Sequence, residues 1–181
     1  ATLWSKTDMS NLRLLNETTV SSSVTSVNVT DVFTSDFDIY KIVLSDTVSD
    51  TNTSDLDMRF INSSGSVISS SDYQYAYIRV RADSSFNEVN STGDSDIQVG
   101  FGQVNAALSN GVVGYVFNPF SSSSYTFYLM QSGNMSGTNF RSLKQIAVLK
   151  ELSSITGVQV VVNGGNLTAA KIRTYGLRVD T

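Results

Sequence analysis

The chain of 181 residues contains neither cysteine nor histidine. A disulfide framework is therefore excluded, and so is a zinc site built from thiolate or imidazole ligands. A serine nucleophile activated by histidine is impossible as well, although 47 of the 181 residues are serine or threonine. Because these absences remove most hydrolase mechanisms, we expect a protein that is not an enzyme, with no catalytic residues, no metal and no cofactor.

Charged residues are also few, at 15% of the chain, and the formal net charge is −4. The basic residues are scattered, with no run longer than Arg79-Val80-Arg81, which argues against a nucleic-acid partner. No apolar run approaches the length of a membrane-spanning helix, so we expect no membrane partner. The opening segment ATLWSKTDMSNLRLLNE lacks the charged-then-apolar layout of a signal peptide.

Proline occurs once, at Pro119, inside the aromatic segment GYVFNPFSSSSYTFYLMQS at 114–132. Proline cannot donate a hydrogen bond in a β-ladder, so Pro119 marks the end of a strand. The four serines that follow form a polar connection, and Tyr125 restarts a strand. The segment predicts a β-hairpin with a loop of five or six residues.

Alternation of apolar and polar residues dominates the rest of the chain, which is typical of half-buried strands. In LDMRFI, for example, Leu56, Met58 and Phe60 alternate with Asp57 and Arg59. About ten such strands are predicted, at 22–30, 38–46, 56–61, 75–81, 96–101, 112–118, 125–131, 145–150, 157–163 and 170–179. Turn signals separate them, at 62–65, 91–94, 110–111, 132–134 and 163–166.

Many short strands with frequent turns predict an all-β antiparallel sandwich or barrel. We assign 21–181 to one β-sandwich domain, and 1–20 to a short N-terminal arm that serves for attachment or as the first strand. Within 5–15, Met9, Leu12 and Leu15 fall at helical spacing, and an extended arm fits these residues equally well.

Two clusters could bind a partner or a ligand. Alternating tyrosines share one face of a strand with two arginines, and they form a subunit seam, a core layer or a ligand face: Tyr73, Tyr75, Tyr77, Arg79 and Arg81. The acidic segment 45–57 could bind calcium, but its ligand order matches no defined loop motif. We interpret it as a solvated, mobile loop. The three glutamates lie in unrelated contexts, so no carboxylate pair for glycoside hydrolysis is apparent.

Three segments resemble, in order, recurrent blocks of virion proteins from tailed bacteriophages, particularly marine phages. The first is IYKIVLSDTVSDTNTSDLDMRFINSSGSVISSSDYQYAYIRVRADSSF, with its L-x-M-R-F strand and Y-x-Y region. The second is YVFNPFSSSSYTFYLMQS, and the third is ITGVQVVVNGGNLTAAKIRTYGLRV, which ends in Tyr175-Gly176-Leu177. The resemblance covers residues 38–179 and leaves the first 20 residues outside.

This resemblance implies a jelly-roll-like β-sandwich that forms a homotrimer and lies on the surface of the virion, after synthesis in the cytoplasm of the host bacterium. The function implied is a non-enzymatic capsid decoration or head-fibre protein, bound to partners such as the major capsid protein. The alternative is a tail-fibre or receptor-binding adhesin that recognises a host surface glycan. We expect the N-terminal arm to provide attachment through Leu3, Trp4, Leu12, Leu14 and Leu15.

Overall fold

The structure is a computed structural model that describes residues 11–52, 54–83, 86–108, 110–136 and 138–177, without the side chains of Asn110 and Ser136. The described residues form twelve strands and one short 3-10 helix, Ala106–Leu108. In chain order the strands are β1 (Leu12–Val20), β2 (Ser26–Val29), β3 (Ile39–Ser49), β4 (Asp55–Asn62), β5 (Tyr73–Arg81), β6 (Asn87–Asp94), β7 (Ile97–Phe101), β8 (Asn110–Phe117), β9 (Thr126–Ser136), β10 (Asn139–Leu149), β11 (Ile155–Asn163) and β12 (Leu167–Leu177).

The strands form two antiparallel sheets, which confirms the predicted all-β sandwich. The large sheet has eight strands in the order β1-β12-β3-β8-β9-β10-β5-β6, and the small sheet has the order β2-β11-β4-β7. The pairs β1·β12, β2·β11, β3·β8 and β4·β7 are those of one long hairpin rolled into two layers. This is the jelly-roll arrangement of two Greek keys.

Two additional hairpins widen only the large sheet. The strands β5 and β6 are inserted between β4 and β7, and the strands β9 and β10 between β8 and β11. All four continue the large sheet beyond β8. The small sheet keeps four strands, so the large sheet presents an outer surface eight strands wide.

The core lies between the two sheets. On the large sheet, Tyr40 and Ile42 of β3 are fully buried, and Met58 and Phe60 of β4 are fully buried on the small sheet. The two sets belong to one continuous cluster of buried side chains. Burial of such side chains on alternate positions is what the period-two pattern of the sequence predicts.

The proline-containing hairpin is confirmed. Strands β8 and β9 pair from Gly111 opposite Gly133 to Phe117 opposite Phe127, and residues 118–125 connect them. Asn118 has a φ of 52°, a left-handed conformation that asparagine tolerates. The connection is longer than the predicted five or six residues, and it is fixed to the sandwich because the Ile155 amide donates to the Pro119 carbonyl at 2.7 Å.

Several sequence-based predictions are corrected by strand pairing. The acidic segment 45–57 is not a mobile loop, because β3 continues to Ser49 and β4 begins at Asp55. Asp50 between them accepts hydrogen bonds from the backbone and side-chain amides of Asn166. The turn signals at 132–134 and 110–111 lie inside β9 and at the start of β8, because their backbones pair with neighbouring strands.

The N-terminal region contributes a strand as far as it is described. Leu12–Val20 is β1, which pairs with β12 at one edge of the large sheet. Leu12 and Leu15 therefore belong to a strand rather than to a helix, and Leu3, Trp4 and Met9 lie outside the described residues. No helix in the described ranges is long and apolar enough to cross a membrane.

Candidate interaction surface

The tyrosines of β5 point into the sandwich. Tyr73 is fully buried, donates its hydroxyl to the Ile68 carbonyl and accepts from the Phe60 amide. Tyr77 is also buried, and its hydroxyl donates to Gln98 Oε1 at 2.7 Å. The sequence left three alternatives open, namely a subunit seam, a core layer and a ligand face, and these two rings belong to a core layer. An oligomer or ligand role for the stripe as a whole stays a prediction.

Tyr75 continues this layer at the side of the sandwich. Its ring stacks on Tyr77 with a centroid separation of 6.0 Å, and its hydroxyl donates to Asp94 Oδ2 at 3.0 Å. Burial and the Asp94 carboxylate raise the pKa of Tyr75 above its usual value. Tyr75 and Tyr77 therefore lie beside the β7 edge of the small sheet, and the hydroxyl groups of both are hydrogen-bonded.

The two arginines of the stripe lie beside a third one. Arg81 forms an ion pair with Asp83 at 3.0 Å and is directly opposite Arg141 of β10. The Arg141 guanidinium lies 3.7 Å from the centroid of the Phe101 ring and donates to Asn134. Burial, together with Arg79 and Arg81, lowers the pKa of Arg141. These contacts hold Arg81 and Arg141 in place within the fold, and Arg141 is almost entirely buried.

The acidic residues of β4 occupy unlike environments. Asp55 is half-buried and accepts from Gln98 Nε2 at 2.5 Å, and burial raises the pKa of its carboxyl group. Asp57 is 3% exposed, and burial, followed by the neighbouring Asp96 and Asp55, raises its pKa to about 8. Within the described ranges, no group of three or more acidic side chains is arranged to hold a metal ion.

The outer surface of the large sheet carries an exposed apolar patch, which we call the apolar face. Its six large side chains come from four adjacent strands, and each is between 38% and 61% exposed: Ile78, Val113, Tyr115, Phe127, Leu129 and Ile146. Apolar patches of several hundred Å² on a protein surface are often functional and can mark interaction sites.

Strand register makes the apolar face continuous. Ile146 of β10 is directly opposite Ala76 of β5 on one side and Leu129 of β9 on the other. Leu129 is in turn opposite Tyr115 of β8. Directly opposite residues in antiparallel strands have Cβ atoms about 4.5–5.5 Å apart, so these side chains are neighbours in one row across four strands. A parallel row places Val148 beside Phe127.

The apolar face is concave, with a groove of about 670 Å³ over β10. Its polar groups lie around the apolar floor, namely Glu88 and Asn90 on β6, Gln131 on β9 and Lys144 on β10. A few polar groups around an apolar floor are typical of surfaces that bind another molecule.

The outer surface of the small sheet has the opposite character. Gln159 of β11 donates to Asn28 of β2 at 2.9 Å. On the other side of Gln159, Arg59 of β4 forms an ion pair with Asp96 at 3.1 Å. An antiparallel sheet whose outer surface faces water is expected to be polar in this way. The large sheet departs from that rule, which singles out the apolar face.

The leucines predicted for attachment lie at different depths. Leu14 is half-exposed on the outer surface of the large sheet, opposite Tyr175 of β12. Leu15 lies at a bulge of β1 and packs against the core. Leu12 is opposite Leu177. Leu3 and Trp4 lie outside the described residues, and attachment through these five residues stays a prediction.

The sequence contains a signal for the apolar face that alternation alone misses. FYLM at 127–130 and IAVL at 146–149 are continuous apolar runs, and such runs predict strands that are buried on both faces. In the single chain Leu129 and Ile146 are exposed. Tyr128, which precedes Leu129, and Ala147, which follows Ile146, are buried on the opposite side of their strands.

Comparisons with known proteins identify no family. No family model matches the sequence, and no curated protein matches it. Among solved structures, a chain from the structure of infectious bursal disease virus, Gx strain, aligns with 92% of this chain at 10% identity, with a TM-score of 0.16. The alignment covers only 36% of the viral chain. Likeness at this level supports no conclusion about fold or function, so the resemblance to tailed-phage proteins rests on the sequence segments alone.

Proposed function

We propose that the chain is a non-enzymatic structural protein on the surface of a tailed-phage virion, where it acts as a capsid decoration or head-fibre protein. The observation on which the proposal rests most heavily is the apolar face, a surface suited to packing against another subunit. The three phage-like sequence segments supply the virion context, and they run through most of the jelly roll from β3 to β12.

The size of the apolar face is consistent with subunit packing. Six side chains at 38% to 61% exposure leave roughly 500 Å² of largely apolar surface in water. A standard interface buries about 800 Å² on each partner, so the apolar face provides more than half of that area and its flanking residues would provide the rest.

In this role the protein would stabilise the particle by adding contact area between capsid subunits. Repetition of one weak contact over a symmetric shell increases its effect through multivalency. The N-terminal residues Leu3, Trp4, Leu12, Leu14 and Leu15 are proposed to attach the chain to a virion protein such as the major capsid protein. The oligomeric state that we propose is a homotrimer, as the resemblance to tailed-phage virion proteins implies.

A second candidate function is a tail-fibre adhesin that binds a host surface glycan. Exposed aromatic rings near one end of β8 and β9 favour it, namely Tyr115, Tyr125 and Phe127. Aromatic side chains offer rigid apolar area, and tyrosine adds a polar tip that can bind a sugar hydroxyl. The two candidates differ in where the chain lies on the particle.

Immunogold electron microscopy of purified phage particles, with an antibody against this chain, distinguishes the two. We expect gold distributed over the head, as a decoration or head-fibre protein requires. Gold confined to the tail end would support the adhesin instead. If the chain is present in the lysate but purified particles carry no gold, a virion protein of either kind would be contradicted.

A further inference from the structure

We propose that a pocket at one end of the sandwich binds a single neutral hexose ring. The pocket has a volume of about 200 Å³ and lies between residues 34–38, which lead into β3, and residues 118–121, which follow β8. The inference goes beyond the proposed function, because a decoration protein needs no ligand. It rests on the fixed walls of the pocket, on the groups that line it and on its size.

The first wall is held in place by a buried tyrosine. The Tyr40 hydroxyl donates to the Thr34 carbonyl and accepts from the Thr34 amide, both at 2.7 Å. The Tyr40 ring also makes an edge-to-face contact with Phe37, with a centroid separation of 5.7 Å. Phe37 lies so close to β12 that a Cβ atom at Gly176 would be 2.6 Å from its ring. The position of the Phe37 ring is therefore fixed before any ligand binds.

The second wall is anchored to the first wall and to the rest of the sandwich. The Asn118 amide donates to the Asp38 carbonyl at 2.8 Å, and the Ser121 amide donates to the Asn118 carbonyl at 3.2 Å. The Ser154 hydroxyl donates to the Phe120 carbonyl. A pocket whose walls are held in this way loses little conformational entropy on binding.

The lining of the pocket combines aromatic rings with planar polar groups. Phe37 and Phe120 supply the rings, and Phe120 is 39% exposed. Asp38 and Asn118 line the same pocket, and both residues are exposed. A pyranose has an apolar face of C–H groups, which an aromatic ring can cover, and an edge of hydroxyl groups. A carboxylate accepts hydrogen bonds from such hydroxyls, and an amide both donates and accepts.

Charge and size narrow the class of ligand. Among the described residues that line the pocket, Asp38 is the one charged residue and none is basic. Its carboxylate would repel an acidic sugar, since like charges brought together without a partner are costly. The volume is below the roughly 300–1,000 Å³ of sites for drug-sized ligands, so one sugar ring fits better than a longer chain. Copies repeated over a particle would strengthen a weak single contact.

An NMR titration of the full chain with the methyl glycosides of glucose, galactose and mannose tests the pocket. We expect at least one of the three to shift the amide signals of Asn118 and Ser121, with a dissociation constant in the millimolar range. Glucuronate should bind at least 10-fold more weakly than that hexose.

Matched variants locate the site. Phe120→Ala and Asp38→Ala should each weaken binding at least 10-fold, with unchanged circular dichroism. Phe86→Ala removes an aromatic ring that is 70% exposed, and Asp36→Ala removes an exposed carboxylate next to the pocket. Neither residue lines the pocket, so both controls should bind like wild type.

The inference would be overturned if none of the three hexosides shifts these signals at tens of millimolar. Wild-type affinity in Asp38→Ala, or glucuronate that binds as tightly as the hexose, would overturn it as well. Gold on the virion together with a chain that binds no hexose would leave the proposed function intact. Hexose binding by a chain that is missing from purified particles would do the reverse.

Discussion

Replacement of Asp57 by asparagine is expected to stabilise the fold at pH 8 by about 2 kcal/mol or more, and to change stability little at pH 4. Asp57 is 3% exposed, and its neighbours Asp96 and Asp55 repel an additional negative charge. Burial and these carboxylates raise its pKa from 3.8 to about 8. The folded chain therefore keeps a proton on Asp57 at neutral pH, whereas the unfolded chain releases it.

The direction of the pH effect follows from proton linkage. Between pH 4 and pH 8 the folded state binds one more proton at Asp57 than the unfolded state. Stability from this group is thus fully present below the unfolded pKa, and it falls as the pH rises toward 8, by at most about 1.4 kcal/mol per pH unit. Asparagine has no proton to lose, so the variant should lack this part of the pH dependence.

Urea unfolding of wild type and Asp57→Asn at pH 4, 6 and 8 measures the difference. Asp36→Asn, which removes the same charge at an exposed position, is the matched control and should follow wild type at each pH. A difference between Asp57→Asn and wild type that stays constant from pH 4 to pH 8 would show that Asp57 is ionised in the folded chain.

A second large effect is expected from Gly157→Ala, which should destabilise the fold by about 3 kcal/mol. Gly157 lies in β11, where the methyl group of an alanine would be 2.3 Å from the Val29 carbonyl oxygen and 3.0 Å from the Thr30 Cα. Both contacts are to backbone, so no side-chain movement relieves them. The strand β2, which pairs only four residues with β11, would have to shift.

Thermal unfolding provides the comparison, with Gly111→Ala of β8 as the control, because an alanine there would meet no atom within 4 Å. For a chain of this length, about 3 kcal/mol corresponds to a melting temperature lower by roughly 6–12 °C. Gly111→Ala should melt within about 2 °C of wild type. Equal melting temperatures for the two variants would show that β2 is not held close to Gly157.

The regular strands were predictable from sequence because their pattern is local. LDMRFI and GVQVVVN alternate, and they became the paired strands β4 and β11. Turn glycines were predictable too, since Gly65 and Gly164 both adopt positive φ. These features depend on neighbours in the chain, which a sequence displays directly.

The strand β6 was missed because its own sequence carries no strand signal, and β1 was left open between an arm and a first strand because its partner is distant in the sequence. NEVNSTGD has no alternation and contains a turn signal, yet it pairs with β5 at the edge of the large sheet. LRLLNETTV has leucines at helical spacing, and its pairing with β12 spans more than 150 residues. Propensity is a weak guide where such long-range pairing decides.

The candidate site was predictable only in part. Alternation correctly separated the tyrosines of β5 from Ala76 and Ile78, but it could not say which side would be covered by the small sheet. That depends on where the two extra hairpins join the large sheet. Continuous apolar runs such as FYLM at 127–130 were the available signal, and they indicate burial on both faces of a strand.

Burial of the apolar face in the assembled protein is the central claim, and thiol labelling tests it most directly. Because the chain has no cysteine, Ile146→Cys and Leu152→Cys each introduce a single thiol at a residue of nearly equal exposure, 61% and 60%. Maleimide labelling rates are compared between the chain in purified particles and the same chain released from them. We predict that Cys at 152 reacts rapidly in both, and that Cys at 146 reacts rapidly only after release. Equal rates for Cys at 146 before and after release would contradict the account.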